Sequence, residues 1–380
     1  MTATRIARLL SCANDIAAED WDRLAGPGNP FACHAFATAL EESGSATDRA
    51  GWRPLHIVVD GADGRPAGIL PGYLKGHSQG EYVFDHGWAD AWTRAGLPYY
   101  PKLQHATPFT PATAPKLLSN DLETSAILIA ASETIVREND LSSAHATFLT
   151  DADAAQFEAA GWLQRNDVQF HWLNESHSGF DDFLGTLSSR KRKTLRKERE
   201  AALAGVDEIV WLSGKDLTEA AWDAFWVFYQ DTGIRKWGRP YLTRTFFSHI
   251  GERMGEKIVL VMAKKAGRYV AGALNFLGDD CLYGRQWGCT QEVPFLHFEL
   301  CYHQAIDIAC QRGLTRVEAG AQGQHKVARG YRPVLTRSAH FVADLRFKAA
   351  VEDFLRRERP AVAMEAEALA QSLPFKTVSG

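Results

Sequence analysis

Glu318 opens a stretch in which acid–base and anion-binding side chains crowd together: Ala319-GAQGQHKVARGYRP carries His325, Lys326, Arg329, Tyr331 and Arg332 within fourteen residues of it. Such residue types suit acyl transfer to an amine, which needs a base to take the amine's proton and donors to hold the oxyanion. Glu318 or His325 would be the base. Lys326 and Arg329 would hold a phosphate or the developing oxyanion, with Tyr331 beside them as a substrate contact. A solvated, glycine-rich turn would use the same residues. No covalent nucleophile is needed, and the sequence shows neither a G-x-S-x-G elbow nor a papain-like cysteine context, which argues against a serine or thiol hydrolase. Gly323 is followed by Gln-His, so the loop is not a Walker phosphate loop.

Other residues extend this chemistry. Asp85 and His86 end a strand-like run and Lys102 follows Tyr99-Tyr100; Asp85 is read as a further acid–base group, with His86 and Lys102 as substrate contacts in a cleft between two halves of the chain. An Asp-His hydrogen bond that fixes a turn is the plainer alternative. Arg285 and Trp287, two apart on a strand, would share a face and stack on a base or peptide, or else simply pack. On a helix His297 and Glu299 are about 200° apart, so of His297, Glu299 and His303 only the last two share a face. No metal is expected there; Glu299 with His303 would orient a side chain or cap a cleft.

Between Arg190 and Arg199 seven of ten residues are basic and Glu198 is the only acid. On a helix over 188–204, Arg192, Arg196 and Arg199 fall on one face with Lys193 and Lys197 beside it, so Arg192, Lys193 and Arg196 are read as phosphate-binding. The alternative is a solvated linker helix.

The elements that must position these residues follow from periodicity. From Lys257 onward, turn signals at Ala266-Gly267 and Gly278-Asp279-Asp280 separate three strands of an antiparallel meander. A helix over Leu296–Gln311 follows, stopped by Gly313, then a strand Arg316–Glu318. Helices near Leu217–Tyr229 and Tyr241–Met254 precede the meander. The first half repeats the plan more faintly: strands Leu55–Asp60, Pro66–Leu74 and Glu81–Trp88, a helix near Glu123–Arg137 and a strand near Ala144–Leu149. Gly64-RPAGILPGYL aligns with Gly267-RYVAGALNFL, which suggests duplication. Strand-strand-strand-helix-strand is the order of the GNAT acetyltransferase fold. The fold class is therefore α/β (α+β), with tandem GNAT-like domains expected at 1–175 and 176–380, the second including the basic interdomain helix 188–204 that joins them.

With 380 residues, two domains are the natural prior. A net charge of −4 disfavours a general nucleic-acid coat but leaves room for a local basic face. The six cysteines show no C-x-x-C pair. Neither a membrane span nor a secretory segment is recognisable, so the sequence reads as cytoplasmic.

The strings EYVFDHGWADAW, YYPKLQHATPFTP, LHFELCYHQAIDIA and EAGAQGQHKVARGYRP resemble the bacterial family of N-acyltransferases known as peptidoglycan biosynthesis/recognition proteins. That family is similar in turn to the Fem transferases, with two GNAT-like domains. The Fem resemblance implies transfer of an aminoacyl group from charged tRNA to an amine on a cell-wall precursor, with phosphate contacts on the basic run that ends at Gly205-Val206. It implies no tightly bound cofactor: the donor would be aminoacyl-tRNA or acyl-CoA, and the acceptor a small-molecule or peptide amine, with tRNA as a possible partner. A CoA-using GNAT enzyme has a glycine-rich loop entering its central helix, to cradle pyrophosphate on backbone N–H groups. Here that loop is Cys289-TQEVPF-Leu296, and its first-half equivalent is Thr107-PFTPATAPK, so CoA ranks below another phosphate-bearing donor. An ordinary CoA-dependent acetyltransferase and a catalytically silent cell-wall ligand-binding protein are the alternatives. The acceptor, the transferred group and the oligomeric state stay open.

Overall fold

The computed structural model describes residues 6–237, 240–320 and 323–376. The chain forms two compact units, Met1–Asp167 with Leu335–Met364, and Val168–Val334 with Glu365–Gly380.

In the first unit β1 (Ala7–Leu10), α1 (Ala18–Ala25) and α2 (His34–Glu42) lead into a long bent hairpin. One arm is β2 (Trp52–Pro54) with β3 (His56–Asp60); the other is β4 (Pro66–Leu70) with β5 (Tyr73–Lys75). The arms switch sheets at Leu55 and Pro71-Gly72. There the Leu55 N–H donates to the Gly72 carbonyl at 2.8 Å, and a Cβ on Gly72 would lie 2.6 Å from the Leu55 carbonyl oxygen, so glycine is required. After α3 (His86–Arg94) come β6 (Lys102–His105), β7 (Leu118–Ser119), α4 (Leu122–Glu138), β8 (Ser143–Leu149), α5 (Asp151–Ala159) and β9 (Leu163–Leu173), which runs on into the second unit. The side chain of Asp121 caps α4 by accepting from the Thr124 N–H at 2.7 Å. Leu128, Ile129, Ile135 and Val136 of α4 pack in one core with Ile57, Leu70, Leu103 and Ala144. β6 runs parallel to β8.

The strand expected at Glu81–Trp88 does not form. The segment is irregular as far as Asp85, which precedes α3, and the third meander strand is β6. The aromatic and β-branched alternation there does not mark a sheet face: Tyr82 takes φ +61°, and the Glu81 carboxylate is turned inward to lysines.

In the second unit α6 (Phe180–Leu184), α7 (Ser189–Ala204), β10 (Glu208–Leu212), α8 (Glu219–Trp237) and α9 (Arg244–Met254) precede the meander β11 (Ile258–Lys265), β12 (Arg268–Leu277) and β13 (Cys281–Cys289). The expected helix is present as α10, in three parts: α-helical Leu296–Phe298, a π turn over Glu299–His303, and α-helical Gln304–Gln311. β14 (Arg316–Glu318) then lies parallel to β13, giving the order β10-β11-β12-β13-β14-β9. Trp222, Phe225 and Phe228 of α8 are buried on this sheet; a Cβ on Gly288 would meet the Phe228 carbonyl oxygen at 2.1 Å, so helix and strand are in backbone contact.

Two features of β13 shape the site. It pairs with β14 only over Cys281–Tyr283 but continues to Cys289, so these parallel strands fork. Its register with β12 also slips between Leu274 (opposite Gln286) and Asn275 (opposite Gly284), leaving Arg285 as a bulge. That bulge breaks the alternation on which a shared face for Arg285 and Trp287 was expected.

A 3₁₀ turn over Gln324–Arg329, β15 (Arg332–Val342) and α11 (Leu345–Gln371) complete the chain. Arg337–Val342 pairs with β8, while Val351 and Leu355 pack with Trp88, Trp92 and Tyr99. Residues 335–364 therefore count with the first unit, where a division into 1–175 and 176–380 would leave them with the second. The basic helix lies within the second unit.

Candidate functional site

Past the fork, β13 contributes Trp287 and Cys289 to a cavity of about 610 Å³, closed by Thr232 of α8 and the continuous run Gln291–Phe298. This run is the connection into α10, the place where a pyrophosphate cradle would sit. Among the described residues it is not built as one: Pro294 lacks an N–H, and the charged residue of the described lining is the acid Glu292. Phe295 has φ +63°, rare for a bulky side chain, and the residue stays 42% exposed. In the first unit the corresponding segment closes on itself. Lys116 is buried there, its ammonium donating to the Ala114 and Phe148 carbonyls at 2.7 and 3.3 Å, and the space beside it amounts to about 20 Å³.

An aromatic cluster joins the large cavity to the loop after β14. His297 lies 5.2 Å from Trp287, 5.6 Å from Tyr302 and 6.2 Å from His325, between ring centroids. Tyr302 and His325 share a 3.0 Å hydrogen bond between hydroxyl and Nε2. Tyr331 stacks edge-on to Tyr302 and is fully buried, its hydroxyl without a partner among the described residues. Of the residues singled out by sequence, then, Trp287, His325, Arg329 and Tyr331 cluster around this cavity. His297, Phe298 and Tyr302 were missed as site residues; their spacing signals only an amphipathic helix.

Arg329 ties the cluster to α7. Its guanidinium lies 3.4 Å from the Phe298 ring centroid, donates to the His325 carbonyl at 3.1 Å and pairs with Glu198 at 2.6 Å. The adjoining π turn is also pinned to α7. Arg199 donates to Asp307 at 2.8 Å and lies 3.5 Å from Glu299. Glu299 in turn accepts from Gln304 at 2.7 Å and bonds His303 at 2.8 Å. Glu299 is fully buried and satisfied, so it orients the π turn and is not exposed as a substrate contact. Single π turns recur at functional sites. Among the described residues no group of three His, Cys, Asp or Glu is placed to hold a metal.

The remainder of α7 is free. Leu195 and Ala202 are buried, Arg199 is turned to its acids, and the side chains of Arg190, Lys191, Arg192, Lys193, Arg196 and Lys197 form neither ion pair nor hydrogen bond among the described residues. Arg192, Lys193 and Arg196 thus share an open face, from which Arg199 is withdrawn. Cations in the first turns of a helix oppose its dipole, so this arrangement costs stability and needs another reason to exist.

Glu318 stands at the fork, outside the cavity lining. It is buried, with Arg316 donating at 3.3 Å to one oxygen and His171 3.9 Å from the other, which has no hydrogen-bond partner among the described residues. Burial pushes its carboxyl up to about 7. Lys326 is also buried, its ammonium donating to the Gly320 carbonyl at 2.9 Å, and burial lowers it to about 8. Sequence had grouped Glu318 and His325 as equal candidates for a base; the structure separates them.

Asp85 and Lys102 are brought together but shut in. Lys102 is fully buried between Asp85 and Glu81 (2.7 Å), and Lys75 lies 3.6 Å from Glu81 and over the Trp52 ring. Tyr99 donates to Asp85 at 2.6 Å; His145 joins Tyr99, at 3.2 Å, to His340, at 2.7 Å. Burial works against the charged forms of Lys102 and Asp85 alike, yet their mutual attraction holds the lysine above and the carboxyl well below its ordinary range. Lys75, with less compensation, is pushed down to about 7. These groups hold the first unit's core. His86 is exposed at the start of α3, stacked on Phe84, and joins no cluster.

A family model described as peptidoglycan biosynthesis/recognition, FemAB-like, matches residues 12–377. No curated protein matches the sequence. Among solved structures, FemX is similar at 12% identity and a TM-score of 0.54, over 91% of this chain and 100% of that one. The C-terminal DUF2156 domain of an Agrobacterium fabrum protein classed with lysylphosphatidylglycerol synthetases reaches 0.55 at 9% identity, over 89% and 95%. A conserved protein of unknown function from Bacteroides thetaiotaomicron reaches 0.53 at 11%, over 89% and 100%. These likenesses establish a shared fold, and among the described residues no helix is long and apolar enough to cross a membrane.

Proposed function

This chain belongs to the FemAB-like peptidoglycan biosynthesis/recognition family, whose role is of acyltransferase type, and from that membership we propose that its second unit moves an aminoacyl group from a phosphate-bearing carrier, charged tRNA, to an amine on a cell-wall precursor or peptide. One observation carries the donor assignment: six cations without a partner among the described residues stand on α7 between Arg190 and Lys197, while Glu198 and Arg199 fasten the helix to Arg329 and the π turn, and Gly205 lies against Val293 of the cavity wall. From Lys193 to Gly205 the helix rises about 18 Å. A carrier whose phosphates lie along the cations can therefore deliver its acyl end at the cavity.

The chemistry needs few parts. The acceptor nitrogen attacks the ester carbonyl, the new C–N bond forms, the C–O bond to the carrier breaks, and the amine's proton passes to a base. His325 fits that role: it is exposed, stands among residues that line the cavity, and is oriented by Tyr302. Arg329, fixed by Glu198 and Phe298, supplies positive charge beside it. CoA is the weaker donor, because the described residues of the cavity wall form no phosphate cradle.

The test is protein-dependent release of amino acids from total charged tRNA with bacterial small-molecule extract as acceptor, run beside acetyl-CoA. Transfer from tRNA that is lost in Lys193→Glu/Arg196→Glu supports the proposal. Turnover of the thioester alone would overturn it, as would no transfer from either donor.

A further inference from the structure

We propose that Arg199 is a positioning residue: with Glu198 it ties both partners of the Tyr302–His325 hydrogen bond to α7, so that phosphates seated on this helix raise the rate at His325 as well as holding the donor. This rests on the transferase reading above and adds a link between donor binding and catalysis.

The argument starts from where two anchors fall. Glu198 and Arg199 are consecutive in α7 and directly follow Lys197, the last of the six cations without a partner among the described residues. Glu198 accepts from Arg329 at 2.6 Å, and Arg329 donates to the carbonyl of His325 itself at 3.1 Å. Arg199 holds the other partner. It donates to Asp307 at 2.8 Å, lies 3.5 Å from Glu299 and stands 5.0 Å from the Phe180 ring centroid, which closes it on the π turn that contains Tyr302. Phe180 completes the grip: its N–H donates to Asp307 at 2.8 Å, and its ring stacks 4.2 Å from His303. The 3.0 Å bond between Tyr302 and His325 therefore spans two segments that both rest on one turn of α7.

A helix that served only to attract phosphate would keep Arg199 on its open face with Arg192 and Arg196. Turning it onto Glu299 and Asp307 gives up a phosphate contact for a hold on the π turn. Seated phosphates then have a second effect. Arg192 with Arg196, and Lys193 with Lys197, are like charges at i,i+4, and together with the helix dipole they work against the N-terminal half of α7. Phosphates remove both penalties and prefer the formed helix to a frayed one, which restrains the turn that carries the anchors. Small displacements of reacting groups cost rate, so that restraint is read in kcat.

The experiment measures steady-state transfer from charged tRNA by the full-length protein, by Arg199→Met and by Arg199→Lys. It is repeated with adenosine 3′-esters of the amino acids that charged tRNA donates, which carry the reactive ester without the phosphates, in the presence and absence of a short single-stranded RNA blocked at its 3′ end. Arg199→Met is expected to lower kcat about tenfold or more while moving KM for charged tRNA less than about threefold, and Arg199→Lys, which keeps the charge, to restore part of the rate. The free RNA should raise kcat of the parent on the small ester about fivefold, and leave Arg199→Met unchanged. A rise in KM at constant kcat would make Arg199 a phosphate contact, and a loss of folded protein with normal kcat per folded molecule would make it structural alone; either result overturns the proposal. Should neither variant fold, the ester arm on the parent protein decides, and an RNA that inhibits or has no effect there overturns it too. Charged tRNA that donates nothing sinks the transferase reading as well, whereas donation from tRNA without activation of the ester sinks only this inference.

Discussion

Glu198 accepts a 2.6 Å hydrogen bond from Arg329, and it is the only acid among the ten residues from Arg190 to Arg199. The single negative charge of the basic run is thus used to fasten α7 to the loop that carries His325. Both side chains are largely shielded, so Glu198→Gln leaves Arg329 without its counter-charge and should cost about 3 kcal/mol in urea unfolding. The substitution adds net positive charge to α7, so RNA affinity in filter binding should hold or rise while kcat falls. A parallel loss of affinity would show that the pair serves the carrier directly.

The open face of α7 makes the opposite prediction. Arg192→Glu/Lys193→Glu/Arg196→Glu should abolish polyanion binding and, from milder single changes to Gln, each lost contact should lower the slope of log K against log salt by about 0.7 to 0.9. Stability should not fall, because acids in the first turns suit the helix dipole. Melting temperature and RNA affinity measured on the same samples check both halves; a triple variant that unfolds would mean that the cations are structural.

How far the sequence could be read depends on whether local pattern or distant packing decided the outcome. The meander over Lys257–Cys289, the helix Leu296–Gln311 and the strand Arg316–Glu318 were legible, because β-branched runs between turn residues and an apolar helical period coincide with their tertiary surroundings. Glu81–Trp88 was not: its pattern is that of a strand, but Glu81 is drawn into a buried charge pair that no local rule can see. The basic residues of α7 were legible as a stripe, except that Arg199 turns inward to Glu299 and Asp307, acids about a hundred positions further on. The π turn left no mark in the sequence, and with it went Tyr302.

If His325 takes the amine's proton, His325→Gln should lower kcat by about 10² to 10⁴ with little change in donor affinity. Tyr302→Phe keeps the ring packing and removes only the 3.0 Å hydrogen bond, so it should reduce kcat less and move the acidic limb of the pH–rate profile. Steady-state rates across pH for both variants decide this. A drop in Tyr302→Phe without any shift in the profile would assign Tyr302 to packing alone.

In the first unit two buried lysines should respond differently. Lys102 is shared by two carboxylates, and Lys102→Met strands Asp85 and Glu81, at a cost of about 3 to 5 kcal/mol. Lys75 is pushed down to about 7 by burial, so at pH 8 it is already largely neutral; Lys75→Met should change stability by about 1 kcal/mol or less. Equal losses in urea unfolding would mean that Lys75 carries as much of the charge balance as Lys102.

Glu318 gives a pH test that is independent of catalysis. Burial raises its carboxyl from 4.5 to about 7, so between those values the folded chain holds a proton that the unfolded chain releases. Its contribution to stability is fully present below about 4.5 and is lost as pH rises through about 7; a shift of this size corresponds to about 3 kcal/mol. Glu318→Gln keeps the neutral shape without the titration. Relative to the parent, the variant should gain stability from pH 5 to about pH 7 and level off towards pH 8, even if its loss of the Arg316 contact lowers both ends. Urea midpoints at four pH values across that window check the slope. A difference between variant and parent that is flat with pH would mean that Glu318 is ionised throughout, held so by Arg316, and the unpartnered oxygen at the fork would then belong to a carboxylate and not to a neutral acid.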